Sequence, residues 1–386
     1  MNRKPQSGEP MNNATRHQNN GLSVLFLTRK WPPAVGGMET YSAELTQDLA
    51  TMVDLEIRVL PGRADGSPPT MISLLSFLMG SLVFLWRRRG DFDVAHFGDF
   101  VLFPLAWWHS LVAPLRVRVI TVHGLDLIYG NRSGFKPALY RLFVAWARRR
   151  RCVHHFVANS RNTAEICSSA GFTPTTPIPL GIRLQPGCKP LATDASDPYV
   201  LFIGRVVKRK GAAWFAQQVL PQLPDRVTFH VVGKVWDREE GRTLENNPRV
   251  VMYGRVPTEE LERQKAGAAV IVMPNVTSEG DTDVEGFGLV ALEAAASGAP
   301  LVASRTQGIT DAVRDGETGF LVESGDAATW LAKLQELLRL SDEERRQFHE
   351  KAISVLERHY SWSRVSKDTL RAYRQAVDRN RNRTSL

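Results

Sequence analysis

The sequence predicts an α/β protein of two doubly wound domains, each a parallel sheet with helices on both faces. Three observations predict it. Short apolar runs alternate with helix-length amphipathic segments along most of the chain, the pattern of a parallel sheet with crossover helices. That alternation breaks once, between residues 177 and 198, where Pro179, Pro186 and Pro190 and a polar TDASD run interrupt it, and then restarts. The chain has 386 residues, 43% hydrophobic and 23% charged, more than one core usually serves.

Residues 1–20 are polar and Asn-rich with no apolar stretch, and read as a disordered leader without a secretory signal. Residues 23–27 (SVLFL) form the first strand. A glycine loop follows, and Met38, Tyr41, Leu45, Leu49 and Met52 then recur at helical spacing. Further strands are expected at 55–60, 94–96, 117–121 and 153–158, completing a first domain at 21–185. Residues 186–198 read as the linker. The second domain, 199–358, has strands expected at 200–203, 227–232, 250–253, 270–273 and 301–303. Asp315-Gly316 marks a turn ahead of residues 319–322, and Ser341 with Glu344 forms a capping box that opens another helix. A basic helix in 359–378 is expected to return to the first domain, leaving 379–386 as a tail.

Charge is divided along the chain. The net charge of +9 resolves into +8 for residues 21–190, −6 for 191–358, and +2 and +5 for the two ends. A basic first half suits an anionic surface, membrane or nucleic acid. No RNA-binding or zinc-finger pattern occurs, so membrane is favoured and nucleic acid is not expected. Residues 71–86 carry no charge and precede Arg87, Arg88 and Arg89. As a helix they reach about 24 Å, short of the roughly 30 Å hydrocarbon core. They read as a buried crossover helix, with Ser73, Ser76 and Gly80 as a small-residue contact stripe. The segment from Pro137 through Leu139, Leu142, Phe143 and Trp146 to Arg148–Arg151 reads either as an interfacial helix or as one whose arginines complement its own carboxyl end. Cys152, Cys167 and Cys188 form no C-x-x-C pair, which argues for a reducing compartment and against a structural metal.

Paired sheets of this kind bind ligands in the crevice at the carboxyl ends of their strands, and the candidate residues cluster there. Gly36 and Gly37 lie between the first strand and its helix, where bare amides can face an anion, although a plain turn explains such a pair as well. Neither G-x-G-x-x-G nor a P-loop follows that strand. His123, in TVHGLD, can bond a sugar hydroxyl or hold developing charge, or be merely structural. Arg205 and Lys210 follow YVLFIG, with Lys208 and Arg209 between them, and suit a diphosphate unless the loop is simply solvated. The stretch VEGFGLVALEAAASGAPLVA, residues 284–303, sets Glu285 and Glu293 eight residues apart. Were most of it helical, that spacing would separate the carboxylates by about 12 Å, enough to reach two ends of one ligand. The alternative makes Glu293 the polar edge of a buried helix.

GGMETYSAEL, TVHG, GRVVKRKG, YGRVPTEEL and EGFGLVALEAAASGAPLVAS occur in that order, and together they resemble the family 4 glycosyltransferases, retaining enzymes of the GT-B fold. The resemblance runs from residue 21 to about residue 377, and the E-x(7)-E element is its most specific part. It implies two Rossmann-like domains and a nucleotide-sugar donor held mainly by the second. Arg205 and Lys210 would hold the diphosphate, Glu285 the hydroxyls of the donor sugar, and Glu293 the ribose. Gly286, Phe287 and Gly288 would offer backbone amides to the sugar, Leu289 and Val290 would also contact the donor, Val256 would lie near the base, and Gly37 and His123 would act from the acceptor domain. No cofactor or metal is implied, and Asp281-Thr282-Asp283 is read as an acidic loop despite spelling D-x-D. The long acidic loop at 275–284 resembles the subset that transfers mannose to lipid acceptors. The expected activity is therefore hexosyl transfer, first from GDP-mannose, to a lipid-linked or saccharide acceptor. The expected location is cytoplasmic and peripheral, on the inner face of the plasma membrane. An epimerase of the same fold and a non-catalytic membrane-bound scaffold are the competing readings.

Overall fold

The computed structural model describes residues 21–34, 36–63, 67, 69–184, 197–277 and 285–384. The leader, nearly all of the linker, Cys188 and the D-x-D triplet lie outside these residues. The first sheet holds β1 (Ser23–Thr28), β2 (Asp54–Val59), β3 (Val94–Phe97), β4 (Val117–Val122), β5 (His155–Ala158) and β6 (Thr175–Pro177). The second holds β7 (Tyr199–Ile203), β8 (Thr228–Val232), β9 (Val250–Gly254), β10 (Val270–Met273), β11 (Leu301–Ser304) and β12 (Phe320–Val322). All pairings are parallel, in the orders β2-β1-β3-β4-β5-β6 and β12-β11-β10-β7-β8-β9.

Side-chain alternation builds three cores from this plan. Val24 and Phe26 face a core shared by both domains, whereas Leu25 and Leu27 face a separate one on the far side of the first sheet. Leu201 and Ile203 join the shared core, while Val200 and Phe202 enter a third, behind the second sheet. A period of two that is apolar on both faces is what a doubly covered parallel strand requires. Burial of Phe287, Ala291, Tyr360, Trp362 and Tyr373 in the shared core joins the domains through apolar surface.

Among the described residues, the end of the first domain and the segment that returns from the second run side by side. Ile182 N–H donates to Tyr360 O at 2.6 Å, and the Arg364 guanidinium donates to Pro179 O. The Trp362–Thr384 helix then lies against the Gly37–Leu49 helix. There Tyr373 Oη meets His96 Nδ1 at 2.5 Å, and His96 Nε2 meets Thr121 Oγ1 at 2.7 Å. This helix continues to Thr384, past the boundary expected at 378. A further tie spans the domains: Arg161 donates from its backbone N–H and from Nε to the buried Asp311 carboxylate, at 2.6 and 2.5 Å.

The burial expected of residues 71–86 is overturned. The Met71–Arg87 helix is not buried through Ser73, Ser76 and Gly80; its buried residues are Phe77, Ser81 and Leu85. Arg58 decides this, because its guanidinium lies over Phe84 and its Nε donates to Ser81 Oγ at 3.0 Å, which turns that face inward. Ile72 is left 81% exposed, with Leu75, Met79, Val83 and Trp86 also exposed. Trp107 and Trp108 pack against the far-side core of the first sheet and do not line the cleft.

Candidate active site

In each sheet, one strand lies between neighbours whose connections leave in opposite directions: β1 between β2 and β3, and β7 between β8 and β10. The loops at those switch points diverge and leave a crevice. In the second domain the crevice loops follow β7 and β10. The first turns through Lys208–Lys210 as a 3₁₀ segment and ends at Gly211, with φ 71°. Val276 N–H donates to Arg209 O at 3.0 Å, which ties the two loops together.

At their junction lies Glu285. Its Oε2 is 2.5 Å from Lys210 Nζ and 2.7 Å from Arg209 Nη1, and Asn275 Nδ2 donates to the same oxygen at 3.4 Å. The backbone is clamped too, because Glu285 N–H donates to Gln307 Oε1 at 2.7 Å. Burial alone would raise the carboxyl, but Lys210 and Arg209 outweigh it and hold Glu285 at about 2. A carboxylate so held stays ionised throughout the physiological range. It is suited to accepting hydrogen bonds and is a poor proton donor.

Around this cluster a cavity of about 450 Å³ opens between the domains. The second domain contributes Arg205, Arg209, Lys210, Glu285, Gly286, Phe287, Gly288, Leu289, Val290 and Glu293, and the first contributes Gly36, Gly37 and His123. The domains approach closely, since a Cβ on Gly286 would lie 3.1 Å from Asn159 Nδ2 and one on Gly37 3.5 Å from Leu289. Both bordering helices, Gly37–Leu49 and Leu289–Ser297, begin after a glycine and lack a side-chain cap. Ala291 N–H is taken by Gly288 O at 2.9 Å, and the earlier first-turn amides can face a ligand.

The predicted residues occupy distinct places. Arg205 is exposed at the rim, its guanidinium 5.3 Å from the centre of the Trp236 ring, and Arg209 takes the Glu285 contact beside Lys210. His123 is buried; its Nε2 donates to Gly98 O at 3.1 Å, because a carbonyl can only accept, and only Nδ1 is left for a ligand. Asp126, absent from the sequence reading, holds that loop by accepting His123 N–H at 3.0 Å. Burial pushes its carboxyl up.

The cleft continues through Leu289 and Glu293 into a second cavity of about 840 Å³ that also takes in Thr258, Glu262 and Lys265. Glu293 stands one helical turn beyond Leu289, its carboxylate 3.9 Å from Lys265 Nζ, which is itself 2.6 Å from Glu262. Burial raises the Glu293 carboxyl, partly offset by Lys265, although 40% of the side chain still reaches water. The regular helix starts only at Leu289, so Glu285 lies on the preceding loop and the helical spacing expected between the glutamates does not apply. Val256 lines neither cavity; it is half-buried against the shared core, and Thr258 and Leu261 line the cleft beside it. Lys265 and Arg209 were the residues that spacing could not single out.

Known proteins carry the same plan. Residues 35–185 match the family described as Glycosyltransferase Family 4, and residues 197–340 match Glycosyl transferases group 1. A GDP-mannose-dependent alpha-(1-6)-phosphatidylinositol monomannoside mannosyltransferase of Mycolicibacterium smegmatis is 34% identical, over 82% of this chain and 89% of the relative. A D-inositol 3-phosphate glycosyltransferase of Pseudarthrobacter chlorophenolicus is 28% identical, over 89% of this chain and 91% of its own. Among solved structures, a sucrose-phosphate synthase from Thermosynechococcus elongatus superposes with a TM-score of 0.70 at 20% identity, covering 92% of this chain and 98% of that one. The chain belongs to the family 4 glycosyltransferases, enzymes of the GT-B fold that use a nucleotide-sugar donor.

Proposed function

We propose that this chain transfers mannose from GDP-mannose, with retention at the anomeric carbon, to a lipid-linked or saccharide acceptor at an anionic membrane surface. The observation that carries the transfer is the Glu285 carboxylate between Arg209 and Lys210, on a cleft that Arg205 also lines. When the bond from anomeric carbon to phosphate oxygen breaks, its electron pair leaves on the diphosphate. Lys210, Arg209, Arg205 and the first-turn amides of the Leu289–Ser297 helix oppose that charge. The acceptor oxygen attacks from the departing side, and its proton passes to the leaving phosphate. Glu285 accepts hydroxyls of the donor sugar, Glu293 accepts those of the ribose, and His123 serves the sugar through Nδ1. Mannose is supported by the 34% identical mannosyltransferase.

The test is a panel of GDP-, UDP- and ADP-sugars with lipid extract and with soluble saccharides, scored for labelled product. GDP-mannose should give the highest kcat/KM. No transfer from any donor overturns the reading, and a second sugar nucleotide formed without acceptor would mark an epimerase instead.

The three side-chain cations do what a divalent ion would otherwise do at a diphosphate, so transfer is metal-independent. Turnover should change by less than about twofold in excess EDTA, where a reaction routed through a metal would lose its several kcal/mol of charge stabilisation.

Membrane docking rests on two helices that pack on one side of the first sheet. The Met71–Arg87 helix leaves Ile72, Leu75, Met79 and Val83 exposed, and the Phe135–Arg150 helix leaves Phe135, Leu139 and Leu142 exposed. Both end in arginines, Arg87–Arg89 and Arg148–Arg151. Among the described residues no helix is long and apolar enough to cross a membrane. An apolar face bordered by cations matches an interfacial helix. Flotation with phosphatidylglycerol vesicles is expected at low salt and reduced at high salt. Ile72→Glu with Leu139→Glu should cut it at least about tenfold by replacing exposed apolar area that would enter the bilayer with charge. Equal flotation of that variant would remove the docking face.

A further inference from the structure

At the edge of the first sheet opposite the cleft, near the amino ends of β5 and β6, a cavity of about 380 Å³ opens between the Phe135–Arg150 and Trp362–Thr384 helices. Arg148, Arg151, Arg379 and Arg383 line it with His154 and Asn380, and none of its lining residues is a carboxylate. We propose that this cavity binds a phosphate- or diphosphate-bearing anion, as a free ion or a lipid headgroup, at a site separate from the donor cleft.

Two helix carboxyl ends converge there, and each attracts cations with only about half an elementary charge. Four guanidiniums exceed that need and repel one another. Several arginines elsewhere on the surface meet acids, as Arg116 does with Asp93, Arg88 with Glu56 and Arg183 with Glu44. None of the four is ion-paired to a described residue; Arg379 instead donates to His155 Nδ1 at 2.7 Å. Arg151 enters the cavity from a left-handed residue at φ 45°, just past the helix end, so it continues the cluster without extending the helix. The field is felt by its neighbours. Burial first, then Arg118, Arg383 and Arg379, push His154 down to about 4. Burial and Arg379 do the same to His155, also to about 4. Planar guanidinium forks around a carboxylate-free cavity match the oxygens of a phosphate.

The test uses the full chain carrying Lys210→Ala, which weakens the diphosphate end of the donor cleft, and follows inorganic pyrophosphate binding by calorimetry at about 0.15 M salt, where the Debye length is about 8 Å. Adding Arg148→Ala and Arg383→Ala should weaken binding at least about tenfold, through lost charge-assisted bonds. Adding Lys333→Ala and Lys351→Ala, the same charge change in the second domain, should alter it less than about twofold, as screened distant charges do. Equal affinity with and without the arginine pair, or an equal loss with the lysine pair, overturns the proposal. Flotation on phosphatidylglycerol against phosphatidylcholine vesicles then separates the sources. Parallel loss with the arginine pair assigns a headgroup, and unchanged flotation beside lost pyrophosphate binding assigns a free anion. Since the cavity lies on the far edge of the sheet from the cleft, this result is independent of the donor panel.

Discussion

Glu285→Gln is expected to lower kcat by about 10²- to 10³-fold, the range seen when one pre-placed charge partner of a transition state is removed, while nucleotide affinity stays within about threefold. The amide keeps the shape of the carboxylate and removes its charge. Lys210 and Arg209, both nearly buried at 11% and 9% side-chain exposure, then lose the group that aims them. The sugar also loses an ionised acceptor, whereas the nucleotide still meets every cation. Initial rates beside calorimetry with the free nucleotide separate the two effects, and wild-type turnover would falsify the assigned role. Glu293→Gln should act the other way, raising donor KM more than it lowers kcat, because Glu293 lies further along the cleft beside Lys265. The same cluster sets an acid limit. With Glu285 held at about 2, below its unfolded value of about 4.3, the cluster's contribution to stability is fully present above pH 4.3. It is lost as pH falls toward 2. Lys210→Ala removes one of the two cations that lower the carboxyl, so the loss should still begin at the unfolded value but be complete at a higher pH and be smaller in total, read as the pH dependence of urea midpoints.

Gly211→Ala is expected to destabilise the protein by about 3–5 kcal/mol, the size reserved for a buried clash with backbone strain. At φ 71° the residue is left-handed, and a Cβ there would lie 1.8 Å from Pro274 O. The backbone conformation alone costs an L residue about 1–2 kcal/mol. The remainder arises from the carbonyl, which cannot move without separating the loops after β7 and β10. Gly316 supplies the control, because it has φ 72° and nothing within 4 Å of its would-be Cβ. Gly316→Ala should therefore cost only about 1–2 kcal/mol. Urea midpoints compare the two directly, and equal losses would remove the steric argument. Any folded Gly211→Ala enzyme should also turn over slowly, since Lys210 is the preceding residue.

Much of the architecture was legible because its signals are local. Strands such as β1, β7 and β10 appear as apolar runs, and the parallel sheets follow from alternation with helices. Where signals were weak, legibility failed. The three-residue β6 is exposed or half-buried and ends in Pro177, so no apolar run marks it. Apolarity likewise marked residues 71–86 as a helix but not which side it buries, because the side is chosen by Arg58, which arrives from β2.

The sequence alone determined the order of the elements, the placing of Gly37, His123, Lys210, Glu285 and Glu293 after strands, and, through motif order, the family. Tertiary structure alone decided which groups meet. Arg205, Lys208, Arg209 and Lys210 are equals as letters, and consecutive residues of a 3₁₀ turn point about 120° apart, so only the seating of that loop against Pro274 and Val276 could turn Arg209 and Lys210 onto Glu285. The same holds for the arginine cavity, assembled from segments at opposite ends of the chain. Periodicity is a property of neighbours along the backbone, whereas burial, ion pairing and pKa arise from neighbours in space.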